Sequence, residues 1–106
     1  MALAMKNRSS LSHLETSALM AFIEVAERGS FTEAAVALNL SQPTVSQQVQ
    51  RLEKVVGIKL LHRRSNRVYL SPAGEAFIVH CRTAISNIEI GIAAALQTDP
   101  NLTGKV

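Results

Sequence analysis

The 106-residue chain has room for one compact domain with an appendage, and at 47% hydrophobic residues it is too rich in Leu, Ile and Val to be intrinsically disordered. Its formal charge is +3, no run of about 18 uncharged apolar residues is long enough to span a bilayer, and Met1 to Arg8 lack the apolar segment of a secretory signal. One cysteine, Cys81, excludes an internal disulfide and a cysteine-rich zinc site, so we expect a soluble, cytoplasmic protein with no membrane role.

Residues 1–11 show no periodicity and read as a mobile leader. Two starts are open for the first helix: Ser12 with Glu15 as a capping box, or Thr16. Leu19, Phe22, Ile23 and Ala26 then recur at helical spacing, with Glu15, Glu24, Glu27 and Arg28 on the other side. Gly29 reads as the left-handed residue that ends the helix. Ser30-Phe31-Thr32-Glu33 fits a capping box for a short second helix with Ala34, Ala35 and Leu38 inward. Small alanines there let a neighbouring helix come close. Asn39-Leu40-Ser41 reads as a tight turn.

A third helix starts at Ser41, with Pro43 in its first turn, where a missing amide proton costs little. Leu40 and Val45 stand at the two ends of a hydrophobic staple. Val45, Val49, Leu52 and Val56 form one apolar stripe, so Thr44, Gln47, Gln48, Gln50, Arg51 and Lys54 lie off it, and Gly57 stops the helix. The period then changes. Leu60, Leu61, Val68, Tyr69 and Leu70 flank the polar stretch 62–67, a pattern of two short strands around a basic hairpin tip. Ser71-Pro72 opens a last helix over 72–97, about 39 Å long at 1.5 Å per residue. Its apolar stripe is Phe77, Cys81, Ala84, Ile85, Ile88, Ile92 and Ala95. A core of three short helices cannot cover that span, so the remainder needs a partner. We expect a second copy: a membrane helix would carry Lys and Arg on its polar face, where Ser86, Asn87 and Glu89 stand.

Two helices joined by a short turn, the second with an amide-rich outward face, make a helix-turn-helix over 31–50. A major groove about 12 Å wide admits one helix; Gln suits the adenine edge and Ser or Thr several bases. Charge agrees in sign. Between Arg51 and Arg82 seven cations face two carboxylates, while the rest of the chain is net acidic, so one face attracts a polyanion. Catalysis finds no support: there is no nucleophile–base set or phosphate loop, and His13, His62 and His80 have no companions at metal spacing. We expect no cofactor and no enzyme activity. A second reading is a winged-helix module that binds only proteins.

Specific motifs narrow the choice. The run Gly29-Ser30-Phe31-Thr32-Glu33-Ala34-Ala35, Leu38, Leu40-Ser41-Gln42-Pro43-Thr44-Val45-Ser46 and Leu52-Glu53 resembles the N-terminal domain of LysR-type transcriptional regulators. So does the continuation Gly57-Ile58-Lys59-Leu60-Leu61, Arg63, Arg67, Leu70-Ser71-Pro72-Ala73-Gly74. The similarity covers about Leu14 to Leu96. Two positions depart from the family pattern, which usually has Phe at Leu61 and Thr at Ser71; the first changes core volume and the second keeps a capping hydroxyl.

The resemblance implies a mainly α fold: a winged helix-turn-helix over 12–71 (three helices plus a β-hairpin wing over 60–70), then a linker helix over 72–97 that pairs with its copy in a homodimer. It places Gln42, Pro43, Thr44, Ser46 and Gln47 at base-reading positions on double-stranded DNA, with Gln47 setting target preference. Ser30 and Thr32 match positions where a helix N-terminus meets a phosphate; for Ser30 that role is compatible with capping. Arg51 matches a phosphate contact, an intrahelical ion pair being the alternative. Arg63 combines a structural role with wing contact, and Arg64 and Arg67 are wing contacts. Residues 98–106 resemble a hinge into a missing domain that binds a small-molecule effector, so we expect the DNA-binding portion of a longer regulator that can form tetramers and contact RNA polymerase.

Overall fold

A computed structural model describes residues 11–101; most of the leader and the hinge residues 102–106 lie outside that span. Four helices and one antiparallel hairpin follow in the order α1 (Thr16–Arg28), α2 (Phe31–Leu38), α3 (Gln42–Val56), β1 (Leu61–Arg64), β2 (Arg67–Leu70) and α4 (Pro72–Leu96).

Of the two starts open for α1, the structure takes Thr16. Glu15 precedes the helix in extended conformation, and its side chain makes no capping hydrogen bond; just before it, the Leu14 amide closes a turn on the Leu11 carbonyl at 3.1 Å. The face that α1 buries is Ala18, Leu19, Ala21, Phe22 and Val25, with Ile23 and Ala26 half-buried beside it. Gly29 stops the helix with φ +66° and donates its amide to the Val25 carbonyl at 2.8 Å, a backbone state that costs a residue with a Cβ about 1–2 kcal/mol.

Ser30 caps α2 by accepting the Glu33 amide at 3.1 Å. Buried Ala34 and Ala35 bring α2 close to its neighbours. Asn39 then enters the left-handed region (φ 57°) and turns the chain toward α3, a conformation Asn tolerates better than most residues. Val45, Val49 and Leu52 seat α3 on α1 and α2. The expected fourth member of that stripe, Val56, is exposed: α3 has outrun its partners there, and a Cβ on adjacent Gly57 would meet nothing within 4 Å.

The hairpin is longer and tighter than the apolar pattern predicts. Strands run into the polar stretch, pairing Leu61 with Leu70 and Arg64 with Arg67, and only Ser65 and Asn66 form the tip. Both have positive φ (54° and 65°), as a two-residue turn matched to strand twist requires. The Val68 amide donates to the Gly29 carbonyl at 3.1 Å, tying the hairpin to the α1–α2 turn.

Ser71 caps α4 by accepting the Gly74 amide at 3.0 Å, while its hydroxyl donates to the Lys59 carbonyl at 2.7 Å. Gly74 lies directly on the Leu60 carbonyl, where no side chain fits. Phe77 stacks at a tilt on Phe22, with 5.9 Å between ring centres, and Ile78 and Cys81 are buried beside it. Of the expected stripe, then, Phe77 and Cys81 serve the core of their own domain, because the first turns of α4 pack against α1. Ile85 is half-buried at the edge, and every residue from Ser86 to Leu96 is exposed. The projecting end of α4 helps stretch the molecule to 57 × 39 × 20 Å. No helix among the described residues is long and apolar enough to cross a membrane.

Candidate nucleic-acid interface

The outward face of α3 follows from its core face. With Val45, Val49 and Leu52 inward, a 3.6-residue period points Pro43, Gln47, Gln50 and Lys54 away from the core, and all four are exposed. Gln42 is exposed at the first position. Ser41 fixes the start of the helix: its Oγ accepts the Thr44 amide at 3.2 Å and lies 2.7 Å from the Thr44 hydroxyl. Thr44 is therefore oriented and half-buried, so less of it is free than of Gln47. Ser46 is half-buried on the side of α3 that faces the hairpin. Gln48 turns partly inward, with a buried Oε1 that finds no partner.

A cleft of about 220 Å³ joins three elements: Phe31 at the start of α2, Ser46, Gln50 and Glu53 of α3, and Lys59, His62 and Arg63 at the base of the hairpin. Ser30 and exposed Thr32 flank Phe31 at the same end of α2. The start of α2, α3 and the hairpin thus share one surface.

Ion pairs sort the cations. Arg28 pairs with Glu24 at 2.7 Å, and that hydrogen bond raises its pKa above the ordinary arginine value. Arg82 bonds Glu27 at 3.1 Å, and Arg51 stands 3.7 Å from Glu15. The partner of Arg51 is thus the residue just before α1, not one within α3, and the contact joins two exposed groups, a geometry worth about 0–1 kcal/mol and easily exchanged. Among the described residues, Lys54, Arg63, Arg64 and Arg67 form no ion pair, and all four lie on α3 or the hairpin. Their charge is left without a carboxylate partner among the described residues.

The wing arginines differ in freedom. Arg63 lies 4.8 Å above the Phe31 ring and braces the wing on α2. Arg67 reaches back across Gly29 toward the Arg28 carbonyl (3.4 Å), and a Cβ at Gly29 would sit 2.5 Å from its guanidinium. Arg64, 5.7 Å from the Tyr69 ring, stands next to the tip and is the least constrained of the three.

Sequence reading missed Glu53. Its carboxylate Oε2 accepts the amides of Leu60 (2.8 Å) and Leu61 (3.2 Å), and Lys59 Nζ lies 3.9 Å from Oε1. A carboxylate directly after buried Leu52 on an otherwise basic, amide-rich helix was the available signal. Cys81 is no reactive thiol: burial pushes its pKa from 9.0 up to about 11. Among the described residues no three His, Cys, Asp or Glu side chains gather to hold a metal ion.

Comparison with known proteins gives one consistent answer. Residues 16–75 match the family described as "Bacterial regulatory helix-turn-helix protein, lysR family". The HTH-type transcriptional regulator AlsR of Bacillus subtilis is 46% identical over 85 residues, which is 80% of this chain and 28% of AlsR. The chain thus spans little more than a quarter of that relative. Two solved structures overlay about four fifths of it: the BenM DNA-binding domain with benA site 1 DNA (TM-score 0.76, 35% identity, 80% of this chain and 99% of that one) and the CbnR DNA-binding domain–DNA complex (TM-score 0.75, 33% identity, 79% and 97%). With helices, hairpin and motif residues all in that arrangement, the chain belongs to the lysR family of bacterial regulatory helix-turn-helix proteins.

Proposed function

We propose that the chain is the DNA-binding part of a LysR-type transcriptional regulator that reads an interrupted inverted repeat as a homodimer. The observation that carries this reading is the exposed, amide-bearing start of α3 beside wing arginines that form no ion pair among the described residues. Gln42, Pro43, Thr44, Ser46 and Gln47 meet base edges in the major groove, and Gln47, at the centre of the outward face, sets target preference. Arg51, Arg63, Arg64 and Arg67 hold phosphates, with Ser30 and Thr32 presenting the α2 N-terminus to another. The DNA complexes of the BenM and CbnR domains, which share this backbone, support the docking.

The dimer forms through the far end of α4, where exposed Ala84, Ile88, Ile92 and Ala95 continue the line of half-buried Ile85 with none of the described residues over them. Two copies place their recognition helices in successive grooves, one helical turn apart or a multiple of it. In the longer regulator an effector domain changes the arrangement of dimers, tetramers included, and so the contact with RNA polymerase; the location is cytoplasmic, at the nucleoid.

Affinity for duplex DNA, measured from low to moderate salt, tests the reading. Neutralising several phosphates gives a log–log slope of several negative units, and footprints on the DNA upstream of the parent gene should show two half-sites. A flat salt dependence with no footprint would favour the rival, a winged helix that binds only proteins.

A further inference from the structure

Lys59–Leu61 is a three-residue backbone junction held from two sides. Its amides go to α3: Glu53 accepts from both Leu60 and Leu61. Its carbonyls go to the start of α4: the Lys59 carbonyl accepts the Ser71 hydroxyl at 2.7 Å and the Leu60 carbonyl accepts the Ser71 amide at 2.9 Å. Gly74 closes on the same Leu60 carbonyl. The Glu53 side chain is only 13% exposed although its helix face borders the basic surface.

That placement is unfavourable for DNA binding taken by itself. A carboxylate beside an anion-binding surface repels phosphate, and a neutral residue there would raise the electrostatic affinity. Two backbone amides give the opposite incentive, since a carboxylate oxygen makes stronger hydrogen bonds to N–H than a neutral acceptor does. We infer that Glu53 is a positioning residue for DNA binding: it sets the angle of the wing to the recognition helix, so that wing and helix engage the duplex as one rigid unit. Through Ser71 the same junction ties that angle to the direction of α4. The inference rests on the reading that α3 and the hairpin bind DNA together.

The test is a double-mutant cycle in which Arg64→Ala reports wing contact. In the wild-type chain Arg64→Ala lowers the magnitude of the salt slope by about one. In Glu53→Ala the wing is no longer held, so the same substitution changes the slope little and its effect on affinity shrinks toward nothing; the two changes are non-additive. Glu53→Gln loses the same charge but keeps an acceptor oxygen, and the Arg64→Ala effect returns. Comparing Ala with Gln therefore separates geometry from charge. If Glu53→Ala does not fold by circular dichroism, Glu53→Asp, which keeps the charge but is one methylene too short to hold both amides, takes its place in the cycle.

Amide hydrogen exchange in the wild-type chain supplies an answer that needs no variant: the Leu60 and Leu61 amides exchange as slowly as those of α3. Additive effects in the cycle, or fast exchange at Leu60 and Leu61, would overturn the role of Glu53 and leave DNA binding intact. A wild-type chain that binds no duplex would overturn both.

Discussion

Gly74→Ala tests how closely α4 is docked on the start of the hairpin. Two effects oppose each other. Alanine favours helix over glycine by up to about 1 kcal/mol. Against that, the new Cβ would fall on the Leu60 carbonyl oxygen and within 3.0 Å of a Leu70 methyl. The first of these neighbours is backbone and cannot rotate away, so the first turn of α4 must lift, an overpacking change that costs about 1–3 kcal/mol. Lifting also lengthens the bonds that Ser71 makes to the Gly74 amide and the Lys59 carbonyl, with about 1 kcal/mol at risk for a lost cap. The clash wins, and the net loss is about 1–3 kcal/mol. For a domain of this size each kcal/mol moves Tm by about 4–8 °C, so thermal melting by circular dichroism should show a fall of about 4–24 °C. An unchanged or raised Tm would mean that α4 does not sit on Leu60 as described.

Ser41→Ala removes the acceptor of the Thr44 amide and should cost about 1 kcal/mol in urea denaturation, with weaker DNA binding as the first turn of α3 loosens. Ile88→Lys, at a residue 48% exposed on the far part of α4, should give a monomer by sedimentation with the winged domain still folded; an unaltered dimer mass would refute the packing role of that stripe. Cys81 should resist alkylation in the native protein and react once urea unfolds it, because burial keeps the thiol protonated until about pH 11. Since the native state holds that proton more tightly than the unfolded chain, stability should decline as pH rises from the ordinary thiol value of 9.0 toward about 11.

Local signals were legible wherever one residue type does a local job. Ser30, Ser41 and Ser71 cap the helices that follow them, and Gly29, Asn39 and Gly57 take the left-handed conformation that ends a helix. Such features depend on the next few residues only. What sequence could not give was the distribution of one stripe between two jobs. Phe77 and Ile88 lie on the same face of α4, yet the first is packed on Phe22 and the second is bare, and only the length of α1 decides where cover ends. The hairpin tip was hidden for a related reason: polar residues fit a strand exposed on both faces as well as they fit a loop. In the interface, Arg67 and Arg64 read alike in sequence. Their difference arises from Gly29, nearly forty positions away, whose missing side chain leaves the space that Arg67 fills.

A two-stranded ribbon is marginal in water, and its free edges are templates for other chains. Here each margin is tied down at one amide. The Val68 amide is spent on Gly29, and the Leu61 amide on a side chain of the preceding helix. Self-association by strand addition should therefore begin only after the hairpin has come away from the helices, which makes its detachment, rather than complete unfolding, the step that governs how long concentrated solutions of the protein stay clear.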